Sequence, residues 1–413
     1  MLAFPRRRCT VGCDGEGLRN PSAIGMAGAF LRRKKLRRYV HASRKRSRYW
    51  RRQRAAMKVV DLFCGGGGFS LGAHAAGFDI ACAIDIDPIL TSSFTTNFPS
   101  TKLMLADVAS LSGAALSGIA GGQIEGLIGG PPCQGFSLMG HRSEDDPRRQ
   151  LVDHFFRLVS EIMPTFFVME NVVGLMQGDA LPVLEAAMSR IPSDYAVIGP
   201  TVLDAADFGV PTNRKRCFVI GVLKDRANIP SLCAPATVSR TTVADAISDL
   251  RYVRDLGMLG GFDSFEILDD ANPSPYAKAL RSADRRSTGN LRTVHTEAVA
   301  KRFAAVQPGK TDLVGRHQRL AWGGLCPTLR AGTGADRGSY QSVRPLHPDE
   351  ARVITVREAA RLQGFPDHHR FHPTIWHSFR MIGNSVAPPV ATAVLSSVAR
   401  ACGHVSPAQV AAE

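Results

Sequence analysis

The nine cysteines form no CxxC pair and are odd in number. That argues against both a metal-binding cluster and a disulfide framework. The chain also lacks any uninterrupted apolar run near the length of a membrane span, and any apolar segment followed by a cleavage site. It has no internal repeat. These absences predict a soluble chain from a reducing compartment, with no membrane contact and no bound metal. Length and composition then bound the rest. At 413 residues and 44% hydrophobic content the chain is a folded protein too long for one typical core, so two domains are expected.

Acidic residues are scarce at one end. Residues 1–56 hold 17 Lys/Arg against Asp14 and Glu16, and almost no apolar periodicity. Three readings stay open for this stretch: a nucleic-acid-binding arm, a targeting peptide, or translated upstream sequence with Met57 as the true start. The preferred ones are upstream sequence or a disordered basic extension, and no catalytic group is expected there. The remainder is balanced, with 34 basic and 34 acidic residues, but unevenly so. Residues 271–345 carry 13 basic against four acidic side chains. A local excess of that size, rich in Arg, Gly and Ser, suits a phosphate backbone, the alternative being a solvated loop surface.

From 57 to about 225, short apolar runs alternate with helix-like stretches. The runs are Val59–Phe63, Ile80–Ile84, Leu103–Leu105, Gly126–Ile128, Phe166–Met169, Ala196–Val202 and Phe218–Val222. Strands alternating with helices predict a layered α/β sheet, mostly parallel. Periodicity weakens over 226–345, which reads as a smaller, irregular second domain. Over 346–413 helical patterns return. Thr355 is placed to cap a helix with Glu358 three residues on, Gly364-Phe365-Pro366 stops it, and Pro388–Ala401 reads as a final apolar helix.

Three stretches carry candidate chemistry. Asp61–Gly72 (DLFCGGGGFSLG) is a glycine-rich turn between a first strand and a helix, where backbone can approach a nucleotide-like ligand. By itself it fits NAD, FAD or S-adenosylmethionine. Asp85 and Asp87, about twenty positions on, stand where a carboxylate would grip ribose hydroxyls, and Asp107 follows the third strand. Taken singly, each is equally a helix cap or a surface carboxylate. Gly129-Gly130-Pro131-Pro132-Cys133-Gln134-Gly135 sets one thiol on a proline-stiffened turn after a strand, a poor context for core packing. A reactive thiol needs nearby positive charge, for which Arg214 and Arg216 are candidates. Glu170-Asn171-Val172 ends the run Phe166–Met169, which predicts a carboxylate held in a cleft with a raised pKa. The plain alternatives are a buried structural cysteine, a strand-end surface charge and an ordinary basic turn.

Taken together and in this order, these stretches resemble the DNA cytosine-C5 methyltransferase family, over about 58 to 400. Asp61–Gly72 resembles its cofactor loop, Gly130–Gln134 its nucleophile loop, Glu170-Asn171-Val172 its acid, and Arg214 and Arg216 its paired arginines. Arg357–Pro366 and Gly383-Asn384-Ser385-Val386 match its two C-terminal blocks. The resemblance implies a Rossmann-like methyltransferase sheet over 57–225 and 346–413, with the target-recognition domain at 226–345. It implies Cys133 as nucleophile toward C6 of a flipped-out cytosine, Glu170 at N3 and the exocyclic amine, Arg216 orienting the base, and Arg214 in support. S-adenosylmethionine contacts would fall on Phe63, Gly65, Gly67, Asp85, Ile86, Asp107, Pro132, Leu151, Asn384 and Val386. Gly135 to Arg149 would be the lid that closes over DNA, and Thr328-Leu329 and Gly332-Thr333 would pack near the flipped base. The implied setting is a bacterial cytoplasm, with double-stranded DNA as substrate, a monomeric enzyme and a separately acting restriction endonuclease as its counterpart. Two positions depart from the family pattern: Thr212 stands where Gln is usual, and Asp85 where Glu is usual. Two rivals remain, a tRNA cytosine methyltransferase on the same scaffold and a DNA-binding paralogue without activity.

Overall fold

The computed structural model describes residues 57–132, 150–232, 240–268, 272–332 and 344–404. Every expected apolar run forms a strand of one seven-stranded sheet. The strands are β1 (Lys58–Leu62), β2 (Asp79–Asp85), β3 (Lys102–Leu105), β4 (Gly126–Gly129), β5 (Phe166–Val172), β6 (Tyr195–Asp204) and β7 (Lys215–Leu223). Their order is β3-β2-β1-β4-β5-β7-β6. Neighbours from β3 to β5 are parallel, whereas β7 runs antiparallel to both β5 and β6. The reversal has a local cause. After β6 the chain makes one tight turn, Ala205–Phe208, closed by Gly209 at φ 76, and a link that short returns the chain only as an antiparallel neighbour.

Helices cover both faces, so the central strands are apolar on both sides. On one face the helix Leu151–Ile162 buries Val152, Phe155, Phe156 and Val159, the three-and-four spacing of an amphipathic helix. On the other face the helix Gly68–Ala75 and the final helix Pro388–Ala401 pack over Val59, Ile128, Val168 and Ile220. Ile375–Ala401 is apolar enough by length and composition to span a membrane, but two-thirds of the window is buried in the protein and the helix breaks at Ser385–Ala387. Its hydropathy reflects a core position.

The stretch 226–345 contributes a second, three-stranded antiparallel sheet in the order β10-β9-β8: β8 (Val253–Leu259), β9 (Phe262–Ile267) and β10 (Arg286–Ser287). Its apolar residues do not close on themselves. Val243, Ile247, Ile267, Leu320 and Leu329 share one core with Ile354, Leu362, Phe365, Phe379 and Ile382. Among the described residues, that core continues past position 345. The helix Val356–Leu362 begins with the expected capping box of Thr355 and Glu358 and stops before Gly364 at φ 84.

The basic excess of 271–345 is partly internal. Arg281 pairs with Asp249, Arg292 with Glu350, Lys301 with Glu297, and Arg302 with Asp312. The buried Arg319 donates to the carbonyls of Phe303, His347, Pro348 and Glu350. The segment's charge is therefore not all available to a partner.

Candidate active site

Two groups of functional candidates converge at the C-terminal ends of β1, β2, β4 and β5, where ligands bind in open α/β sheets. The first surrounds the glycine-rich turn. Phe63 sits at φ 60, Gly65 at φ 48 and Gly67 at φ 81, so the turn winds through the left-handed region before the helix begins at Gly68. A side chain on Gly67 would strike the Phe98 ring at 2.3 Å, whereas one on Gly65 would meet only Asp85 Oδ2, at 4.0 Å. Gly65 thus faces open space and Gly67 faces packing. Asp85 holds the turn: Oδ2 accepts from Gly65 N at 2.9 Å, and Oδ1 accepts from Asp87 N at 2.9 Å. Burial raises its pKa.

Next to Asp85, Ile86 is 67% exposed at a strand end, a flat apolar surface with no protein cover. Asp107 is exposed and uses Oδ1 to cap the turn Val108–Ser110 through Ala109 N at 2.9 Å. Leu151 and Pro132 are half-buried at the near ends of their segments, and Asn384 is exposed at the end of its helix. The C-terminal block does return to the first strand. The Val386 carbonyl lies 2.4 Å from where a Gly68 side chain would start, and Ser385 Oγ lies 3.4 Å from the same point on Gly66.

The second group lies one strand away. Gly129 pairs with Met169 across β4 and β5, which places Gly130 beside Glu170. Glu170 Oε2 would be 3.3 Å from a side chain on Gly130. Glu170 is buried, and burial raises its pKa against the opposing pull of Arg216 and Arg214. Arg216 Nε stands 3.1 Å from Glu170 Oε1, but off the line of a hydrogen bond. The pair is therefore an ion pair whose carboxylate keeps its hydrogen-bonding capacity. Asn171 Nδ2 donates to the Pro131 carbonyl at 3.0 Å, fixing the first proline of the turn that leads to Cys133. Cys133, the segment Gly135 to Arg149 and Thr333 lie outside the described residues.

Arg214 does something different from Arg216. It is 2% exposed, and its guanidinium donates to the carbonyls of Leu329 (3.3 Å), Gly383 (3.0 Å) and Ser385 (2.7 Å). Burial pulls its pKa well down. Arg214 braces the turn that carries Arg216 against the C-terminal block, so its support is indirect. Thr212, where the family usually has Gln, is buried and donates to Cys326 O at 3.2 Å.

The sequence reading missed several residues that set this geometry. Asp61 is buried under the glycine turn, accepts from Ser70 Oγ at 2.5 Å, keeps Oδ1 without a hydrogen-bond partner, and has its pKa pushed up to about 7 by burial. Gln363 Nε2 donates to Ile382 O and Ser385 O at 2.6 and 2.9 Å. His369 reaches the Gly66 carbonyl through Nε2 at 2.9 Å. Arg357 in turn holds the His369 carbonyl at 2.7 Å. The available signal was their position in the two C-terminal blocks, where a buried polar side chain is read as surface unless its partner is known.

The arrangement offers a cradle of backbone amides with open space at Gly65, an uncovered apolar plate at Ile86 and an orphan acceptor at Asp61. Beside it stands a buried acid–guanidinium pair next to a proline turn. Comparison with known proteins agrees. A family model described as C-5 cytosine-specific DNA methylase matches residues 57–400. The type II methyltransferase M.XorII of Xanthomonas oryzae pv. oryzae is 44% identical over 361 residues, covering 83% of this chain and 84% of the relative. M.DdeI of Desulfomicrobium norvegicum is 31% identical, covering 83% and 88%. A solved structure assigned as a DNA modification methyltransferase encoded within an E. coli prophage superposes with a TM-score of 0.74 at 38% identity, covering 84% of this chain and 100% of that one. The S. pombe Dnmt2 methyltransferase, at 18% identity and a TM-score of 0.55, shares the fold. The chain belongs to the C-5 cytosine-specific DNA methylase family.

Proposed function

We propose that this DNA cytosine-C5 methyltransferase works through Cys133, Glu170 and Arg216 on a flipped-out cytosine, with S-adenosylmethionine in the cradle of the glycine turn. The observation that carries the reading is the buried Glu170–Arg216 pair beside Gly130, two residues before Pro132-Cys133. A carboxyl whose pKa is raised by burial can share its proton with N3 of the ring, and the adjacent guanidinium keeps that acid oriented. Addition of the Cys133 thiolate to C6 then places electron density on C5, with N3 hydrogen-bonded to or protonated by Glu170. When bound, S-adenosylmethionine supplies an electrophilic methyl group to that carbon. Loss of the C5 proton reforms the ring double bond and expels Cys133 as thiolate. Extruding the base costs a few kcal/mol of unstacking, which protein–DNA contacts offset.

The cradle fits the cofactor on three counts: open space at Gly65, the exposed Ile86 and the unpartnered Asp61 Oδ1. The residues that would hold it are Phe63, Gly65, Gly67, Asp85, Ile86, Asp107, Pro132, Leu151, Asn384 and Val386. Asp85, shorter than the usual Glu, acts first on the loop through Gly65 N, so it orders the cradle as well as facing the ribose. Because M.XorII and M.DdeI are type II methyltransferases, a separately acting endonuclease of the same recognition sequence is its expected counterpart, in a bacterial cytoplasm with the enzyme monomeric on the nucleoid.

Transfer of tritium from labelled S-adenosylmethionine to duplex DNA and to tRNA tests the reading. Label in DNA that is lost in Cys133→Ser supports it. Label in tRNA alone, or none in either, overturns it.

A further inference from the structure

Residues Gly309–Arg319 form an antiparallel hairpin that the catalytic reading does not use. Its stem is paired through Gly309 N to Arg319 O at 2.9 Å, Arg319 N to Lys310 O at 2.8 Å, and a bridge between Thr311 and Gln318. Asp312 N donates to His317 O at 2.8 Å, which leaves Leu313–Arg316 as a four-residue tip.

The tip is built rigidly. Asp312 is 3% exposed, accepts from Gly315 N at 2.5 Å, and pairs with Arg302 Nε at 3.1 Å. His317 Nδ1 is 2.8 Å from the Arg344 carbonyl, and Arg319 at the base of the stem grips four carbonyls. A side chain at Gly315 would strike the His317 ring at 2.5 Å. Arg316 is held at φ 60, a conformation that costs a non-glycine residue of order 1 kcal/mol or more. What this strained support presents is two adjacent apolar side chains in water, Leu313 at 92% and Val314 at 72% exposure. Single exposed apolar residues such as Val294 call for no explanation. A neighbouring pair on a strained, caged tip does.

The surroundings select the occupant. The hairpin lies within the stretch 271–345, with Lys310 and Arg316 exposed on it. The chain then runs on to Cys326–Leu329, which bonds to the turn Thr212–Arg214 beside Arg216. A two-stranded ribbon fits the major groove of a duplex, where thymine methyls offer apolar contact. We propose that the hairpin Gly309–Arg319 enters the groove of the substrate duplex and that Leu313 and Val314 make apolar contact with its bases, Asp312 and Gly315 acting as positioning residues for the tip. The proposal rests on the reading of the enzyme as a duplex-DNA methyltransferase.

The test compares the wild type with the double variant Leu313→Ser/Val314→Ser, and with Leu313→Met/Val314→Ile. The probe is an oligonucleotide duplex carrying the site that bisulfite sequencing of wild-type-methylated DNA identifies. The serine variant should bind this duplex about tenfold or more weakly, since two apolar contacts are removed. Its salt dependence should match wild type, because no charge is removed. Thermal stability and S-adenosylmethionine affinity should be unchanged, and the Met/Ile variant should keep wild-type affinity. Equal duplex affinity in serine variant and wild type overturns the proposal. So does a serine variant whose only change is in self-association. A wild type that methylates no duplex at all fails the functional reading itself, an outcome distinct from either.

Discussion

The imidazole of His369 meets the carbonyl of Gly66 at 2.9 Å across a sequence separation of 303 residues. It joins the C-terminal block to the middle of the cofactor turn. The ring is buried among Phe98, Phe365 and Phe371, and burial lowers its pKa to about 3, so it is neutral and donates from Nε2. His369 is a positioning residue for the turn. Replacement by Phe should raise the KM for S-adenosylmethionine about tenfold while leaving kcat within about twofold, the scale of one lost hydrogen bond. His369→Asn, which keeps a donor, should recover most of that loss. A fall in kcat with KM unchanged would argue for a different role.

The same histidine makes a pH prediction. Its folded pKa lies below the ordinary value of 6.5, so the unfolded chain takes up a proton that the folded chain refuses. The contribution is complete above about pH 6.5 and is lost progressively as pH falls toward 3. Urea midpoints at pH 7 and pH 5 should therefore differ less in His369→Phe than in the wild type.

Gly65 and Gly67 separate fold from function within one turn. Gly67→Ala adds an atom 2.3 Å from the Phe98 ring and should lower stability by about 2 kcal/mol or more, measured by chemical denaturation. Gly65→Ala meets nothing nearer than 4.0 Å, so it carries only the backbone term of about 1 kcal/mol. Its main effect should be weaker S-adenosylmethionine binding, measured by calorimetry. Equal effects of the two on stability would contradict the cradle.

The two arginines should also part company. Arg214→Met strands three carbonyls in the interior and should cost about 3 kcal/mol of stability. Arg216→Met leaves the fold closer to wild type but removes the charge that holds Glu170's pKa down. The pH at which methylation falls off on the alkaline side should then move upward, with a reduced maximal rate, in a pH–rate profile. A profile unmoved by Arg216→Met would detach it from Glu170.

Much of this was legible in the sequence because it rests on short-range pattern. Apolar runs four to seven residues long gave all seven central strands, and Thr355 with Glu358 gave a helix start. The direction of β7 was not legible, since it depends on how tightly Ala205–Gly209 turns. The burial of Arg214, Arg319, Arg357 and Arg361 was hidden for another reason. Their partners are backbone carbonyls and carboxylates six to 171 residues away, with no local signature. For the same reason the basic stretch 271–345 read as wholly surface charge, when several of its arginines are structural.

Glu170 tests the acid role in isolation. Glu170→Gln keeps the shape beside Gly130 but has no proton to give, and methylation should fall about 10²-fold or more with S-adenosylmethionine affinity intact. Activity near wild type would remove Glu170 from proton transfer.

The central claim is covalent attack by Cys133, and the most direct measurement is mass spectrometry of the enzyme incubated with S-adenosylmethionine and a duplex carrying 5-fluorocytosine at the methylated position. Fluorine cannot leave C5 as the proton does, so the account predicts a stable protein–DNA adduct whose mass includes the transferred methyl group and whose cross-link maps to Cys133, absent in Cys133→Ser. Catalytically active enzyme that forms no adduct, or one that maps to another residue, would contradict it.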